Sequence, residues 1–208
     1  MLLGLGMGYA GGIHAHSVQI MVGIFLTSGQ VCSATSRLLV HENLHDELVT
    51  ALKAALDRLV VGHPLEPGTQ MGPLVSATQL ERVREAVTLA TAEGVTAYAP
   101  DLPEGLEAGG YYYPPTLLIG ADSACSAWRE EVFGPVLCVR SFGDEAEALR
   151  LGNETTYGLA NAVFSMDAAQ AERVAQGLRS GVVWQNCSQV RDTNAHTLCG
   201  PQTDRRHT

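Results

Sequence analysis

The chain has 208 residues, 46% of them apolar and 17% charged, and carries a net charge of −9. That length fits one domain with a buried core. The acidic balance, without a basic cluster, excludes a nucleic-acid footprint and docking on anionic membrane surfaces.

Residues 1–16 are glycine-rich and read as an irregular N-terminus. Gly6, Gly8 and Gly11 form a G-x-G-x-x-G, but no strand of useful length precedes it and Gly12-Ile13-His14 starts a helix poorly. Ser17 to Leu26 is apolar and of helical length, with Gly29 as its stop signal. Residues 37–41 read as a strand. Asn43 is placed to cap a helix whose Leu44, Leu48, Leu52, Leu56 and Leu59 recur at helical spacing. Gly62, Pro64, Pro67 and Gly68 break it into a loop. A second amphipathic helix is predicted over 76–93, stopped by Gly94, with a strand at 95–98. Residues 100–110 form a loop, and 111–118 are extended beside Pro114 and Pro115. Strands follow at 136–142, 160–164 and 182–184, with helices at 144–151 and 167–178 between them.

Strands alternating with helices predict an α/β fold with a mainly parallel sheet flanked by helices. Beyond residue 190 the apolar period is lost, and 190–208 read as a divergent, disordered tail. No apolar run reaches the roughly 20 residues of a membrane span, and Met1 to Leu5 lacks the basic flank of a secretory signal. The five cysteines include no C-x-x-C pair, which argues against a disulfide framework or a zinc site. His14 and His16 have no further ligand set nearby, so no metal is assigned. These features place the chain in a reducing compartment, cytoplasm or organellar lumen, and not among secreted proteins.

Gly29-Gln30-Val31-Cys32 sets a cysteine just past a glycine break and before a strand. A loop thiol at such a junction can be reached by a substrate carbonyl, and its thiolate is a nucleophile. On spacing alone a small buried apolar cysteine fits as well.

Five segments in order resemble the NAD(P)-dependent aldehyde dehydrogenases: Phe25-x-x-x-Gly29-Gln30-x-Cys32, 67–73, Trp128 to Val136, 153–159 and 182–186. The likeness covers residues 17–189 and implies a partial aldehyde dehydrogenase catalytic domain. It implies that Cys32 attacks an aldehyde, that a hydride passes to NAD or NADP, and that the resulting thioester is hydrolysed to a carboxylic acid. It also implies that the backbone N–H of Cys32 is an oxyanion donor. Glu131 is then the residue that accepts hydrogen bonds from the nicotinamide ribose, and Phe133 packs beside the ring. Trp128 to Glu131, 136–139 and 184–189 are most similar to plant-type betaine-aldehyde and aminoaldehyde dehydrogenases. These hold cationic substrates in an aromatic cage; one cage position, six residues before the cysteine, is Leu26 here.

The family's water-activating glutamate lies before the cysteine, whereas no Asp or Glu precedes Glu42 in this sequence. The cofactor-binding domain of the family is longer than the 31 residues before Cys32. The expectation is therefore a chain truncated at both ends. Two readings follow: aldehyde oxidation, or a catalytically silent remnant that binds or oligomerises with full-length relatives.

Overall fold

A computed structural model describes residues 2–4, 12–187 and 203–204. Strand β2 (Arg37–His41) alternates its side chains between two cores: Leu38 and Val40 enter one, Leu39 the other. Strand β5 (Val136–Phe142), its parallel neighbour, does the same with Leu137 and Val139 against Val136 and Cys138. Burial on both faces explains why these strands read as unbroken apolar runs.

One face is covered by α1 (Gly12–Ile24) and α2 (Glu42–Leu56). Ile20, Ile24, Leu52 and Leu56 are buried there, and each such side chain contributes about 2 kcal/mol. The other face is covered by α3 (Ala77–Ala92), the short α4 (Ser126–Arg129), α5 (Glu145–Gly152) and α6 (Ala168–Gly177). Three of these helices start at side-chain caps. Ser76 accepts from the Gln79 N–H, Asp144 from Glu147, and Asp167 from Ala169 and Gln170.

Strands β1 (Leu2–Gly4), β3 (Thr96–Tyr98), β4 (Thr116–Ile119), β6 (Ala160–Phe164), β7 (Val182–Gln185) and β8 (Thr203–Asp204) complete one sheet. The order is β3-β4-β5-β2-β1-β6-β7-β8. The β3–β4 and β7–β8 pairs are antiparallel and the others parallel. The predicted α/β architecture is therefore the observed one.

Several local expectations need correction. Residues 1–16 are not irregular throughout: Leu2–Gly4 pairs with β2 on one side and β6 on the other, and α1 already begins at Gly12. Pairing on both edges satisfies the backbone of a segment whose composition gives no strand signal. The tail expected to be disordered contributes β8 at 203–204, paired with β7. The rest of the tail and the Gly6–Gly11 motif lie outside the described residues. Helix α2 is capped not by Asn43 but by His41, whose Nδ1 accepts the Asn43 N–H at 3.2 Å. Strand β2 runs into α2 without a loop, so the cap falls on the last strand residue.

Candidate active site

The amino-terminal ends of β2, β5 and β6 open onto a pocket of about 230 Å³. Its lining comes from three stretches: the Gly29–Arg37 turn, the Trp128–Val136 segment and the Tyr157–Asn161 segment. Cys32, Glu131 and Phe133 all line it.

Cys32 is exposed. Among the described residues neither its thiol nor its backbone N–H has a hydrogen-bond partner. The Glu131 carboxylate likewise has no partner among the described residues. Phe133 keeps 37% of its surface open. A thiol, a carboxylate and an aromatic face are thus presented together, uncommitted to internal contacts.

The polypeptide around them is held firmly. Gly29 has φ +69°, and a Cβ there would overlap the Gly134 carbonyl, so the cysteine turn lies directly on the Gly134-Pro135 peptide. Phe133 adopts φ +53°, a left-handed conformation that costs about 1–2 kcal/mol outside glycine. Gln79 compensates: its Nε2 donates to the carbonyls of Val132 at 3.1 Å and Phe133 at 2.9 Å. The approach to α3 also holds the cysteine turn. Val75 N–H donates to Gln30 Oε1 at 2.9 Å, and Ser28 Oγ donates to the Gly72 carbonyl at 2.8 Å. One stretch, 72–79, therefore clamps both halves of the pocket.

Beneath the pocket, Trp128 is 1% exposed, with the guanidinium carbons of Arg37 and Arg140 at 5.3 and 5.8 Å from its ring centroid. Burial pulls the Arg37 pKa down, against the opposing influence of Cys138, Glu154 and Tyr157. Arg140 pairs with Glu154 at 3.8 Å. Arg129 donates to the Ser123 and Ala124 carbonyls at 2.8 and 2.7 Å, which fixes the segment leading to Glu131. Tyr157 donates to Glu130 across the rim at 3.5 Å.

Three residues with a part in this site were not singled out from the sequence: Gln79, Asn161 and Arg37. Asn161 carried a signal, since a polar side chain interrupts the apolar run Ala160 to Phe164. Gln79 carried none, because a glutamine in the first turn of a helix is ordinarily solvated.

The Aldehyde dehydrogenase family model matches residues 13–201. A chloroplastic betaine aldehyde dehydrogenase of Beta vulgaris is 46% identical over 170 residues, 81% of this chain and 34% of the relative. A peroxisomal aminoaldehyde dehydrogenase of Malus domestica is 44% identical over 168 residues, 80% of this chain and 33% of the relative. The structure of a Staphylococcus aureus betaine aldehyde dehydrogenase in complex with NAD+ superposes with a TM-score of 0.84 at 33% identity. That likeness covers 93% of this chain and 38% of the neighbour. The chain thus spans about a third of the length of the curated relatives it matches. Among the described residues no helix is long and apolar enough to cross a membrane. With a match over most of its length, the chain belongs to the aldehyde dehydrogenase family.

Proposed function

We propose that this chain carries the cysteine half of an NAD(P)-dependent aldehyde oxidation, with Cys32 as the nucleophile. The observation that supports it most is the exposed, unpartnered thiol of Cys32 in one pocket with Glu131 and Phe133. The Cys32 sulfur adds to the aldehyde carbon, and the carbonyl oxygen takes the negative charge. The free N–H of Cys32 faces no competing acceptor among the described residues and serves as a donor to that oxygen. A nicotinamide cofactor, when bound, supplies the two-electron acceptor that takes the thiohemiacetal to the thioester. The unpaired Glu131 carboxylate suits the vicinal hydroxyls of a ribose, and the open Phe133 ring suits a planar heterocycle beside it. Water then releases the acid and regenerates the thiol. The resemblance to betaine-aldehyde and aminoaldehyde enzymes makes amino- and trimethylammonio-aldehydes the first substrates to try.

A second reading rests on one observation: the carboxylates lining the pocket among the described residues are Glu130, which Tyr157 engages, and Glu131, assigned above to the ribose, which leaves neither to activate water. On that reading the 208-residue polypeptide captures an aldehyde on Cys32 without turnover. Both readings are tested by mixing the polypeptide with betaine aldehyde or 3-aminopropanal and NAD or NADP, then following intact mass and NADH absorbance. The expected result is a covalent adduct on Cys32 that disappears in Cys32→Ala. Adduct plus steady NADH supports oxidation, and adduct alone supports the silent reading. Equal labelling of Cys32→Ala overturns the assignment of the nucleophile.

A further inference from the structure

Asn161 stands out in the pocket as a polar residue on an otherwise apolar strand. It is 7% exposed and lies at the amino end of β6, in register with Val183 of β7. It shares a sheet face with Val163, on the same side as Trp128 and Cys138.

Its hydrogen bonds orient the amide. Ser180 Oγ donates its only proton to the Val182 carbonyl at 3.1 Å. Toward Asn161 the same oxygen can only accept, so the Asn161 amide nitrogen is the donor in their 3.0 Å contact. That leaves the amide oxygen as the other end of the group. No donor among the described residues reaches it. It is also not among the fully buried side-chain oxygens that lack a partner. An oxygen without a protein donor and not sealed from solvent, on a residue that lines the pocket, is open to whatever fills the pocket. An acceptor held in a nearly buried site favours a ligand that supplies a donor and disfavours one that does not.

We infer that Asn161 is a specificity-determining residue of the Cys32 pocket. Its amide oxygen accepts a hydrogen bond from an N–H or O–H of the bound ligand, with Ser180 as the positioning residue that aims it. This inference rests on the reading that aldehydes enter the Cys32 pocket, and it adds which of them the pocket prefers. Ligands carrying a donor bind better than those of equal charge whose nitrogen is fully alkylated. The Glu130 and Glu131 carboxylates on the rim attract both kinds of cation alike, so charge does not account for the preference.

The experiment measures protection of Cys32 in the full chain against iodoacetamide. The protecting ligands are butylammonium, trimethylbutylammonium and butan-1-ol. In the wild type, butylammonium protects at about tenfold lower concentration than trimethylbutylammonium, the size expected of one charge-assisted hydrogen bond. Asn161→Leu, which keeps the volume and removes the acceptor, weakens butylammonium and butan-1-ol while leaving trimethylbutylammonium unchanged. Ser180→Ala weakens butylammonium by a smaller factor, because the amide is no longer oriented. Melting curves check that each variant is folded. If all three ligands weaken together, Asn161 only shapes the pocket and the inference is overturned; protection unchanged in Asn161→Leu overturns it as well. A parallel arm follows the adduct of Cys32 with butanal. Loss of the donor preference with the butanal adduct intact would remove this subsite and leave the proposed chemistry standing. A wild-type chain inert to butanal would remove the chemistry, while the protection series would still decide the role of Asn161.

Discussion

Gly29 and Gly134 lie against each other across 105 residues of sequence, so closely that a Cβ on Gly29 would overlap the Gly134 carbonyl oxygen and crowd the Pro135 nitrogen. This contact joins the turn that carries Cys32 to the segment that carries Glu131 and Phe133. The obstacle is backbone, which cannot swing aside as a side chain does. Gly29→Ala meets that overlap in addition to the strain of φ +69°. The expected loss is about 3 kcal/mol or more, read by urea denaturation, with faster amide exchange at residues 131–135. A variant as stable as the wild type would show that the two segments are not in contact.

Gln79 is the compensating contact for the left-handed Phe133. Gln79→Leu leaves the Val132 and Phe133 carbonyls without their donor and should cost about 1–2 kcal/mol. For a domain of this size that lowers Tm by about 2–8 °C. Gln79→Glu is the sharper comparison: a carboxylate cannot donate to either carbonyl, and its loss should be at least as large. A neutral result for both would mean that the pocket segment needs no clamp.

The thiols divide sharply in environment. Burial pushes the Cys138 thiol well above its ordinary range, and Cys125 is pushed up for the same reason. Both are at most 2% exposed, whereas Cys32 is open to solvent. At neutral pH, peptide mapping after brief iodoacetamide treatment should find Cys32 labelled and Cys125 and Cys138 unlabelled. Labelling of Cys138 at a rate like that of Cys32 would contradict the burial of β5.

Glu93 closes α3 and starts α4: its Oε2 accepts from both the N–H and the hydroxyl of Ser126, at 2.8 and 3.0 Å. The backbone hydrogen bond from Ser126 is the largest influence, and it draws the Glu93 pKa below the usual carboxylate value. A carboxylate stabilised in the folded state contributes above its unfolded pKa, and that contribution is lost as the pH falls through the folded pKa. The Tm difference between wild type and Glu93→Gln should therefore be present at neutral pH and shrink on acidification. A difference that grows as the pH falls would reverse the sign of the linkage.

Most of the layer structure was legible because 136–142 is an apolar run of strand length and the helix at 42–56 repeats its leucines at helical spacing. The elements that escaped are short and depend on partners. Helix α4 has four residues and is held by Glu93 from another helix, a contact that no local pattern encodes. Strand β1 has three residues and exists through its two neighbours. The grouping of Cys32 with Glu131 and Phe133 came from resemblance; their spacing in sequence does not imply it. A general rule for open α/β sheets looks for ligands at the carboxyl ends of the strands. The Cys32 pocket lies at the amino ends of β2, β5 and β6, the side opposite to the one that rule names. Asn161 was visible as an anomaly, but only Ser180, nineteen residues away, shows which end of its amide is free.

Among the described residues strand β1 lies between β2 and β6 and pairs with both, and its register sets Leu2 beside both Leu38 and Ala162. The first partner is made soon after it, the second about 160 residues later. At roughly 5–20 residues per second, a ribosome needs about 8–30 s to cover that distance. Throughout that interval one edge of β1 is without its mate, while α1 and α2 on one face and α3, α4 and α5 on the other emerge before β6. Translation tempo, and any chaperone that shields a bare strand edge, therefore act on the yield of properly folded chain through an edge that the finished sheet no longer shows.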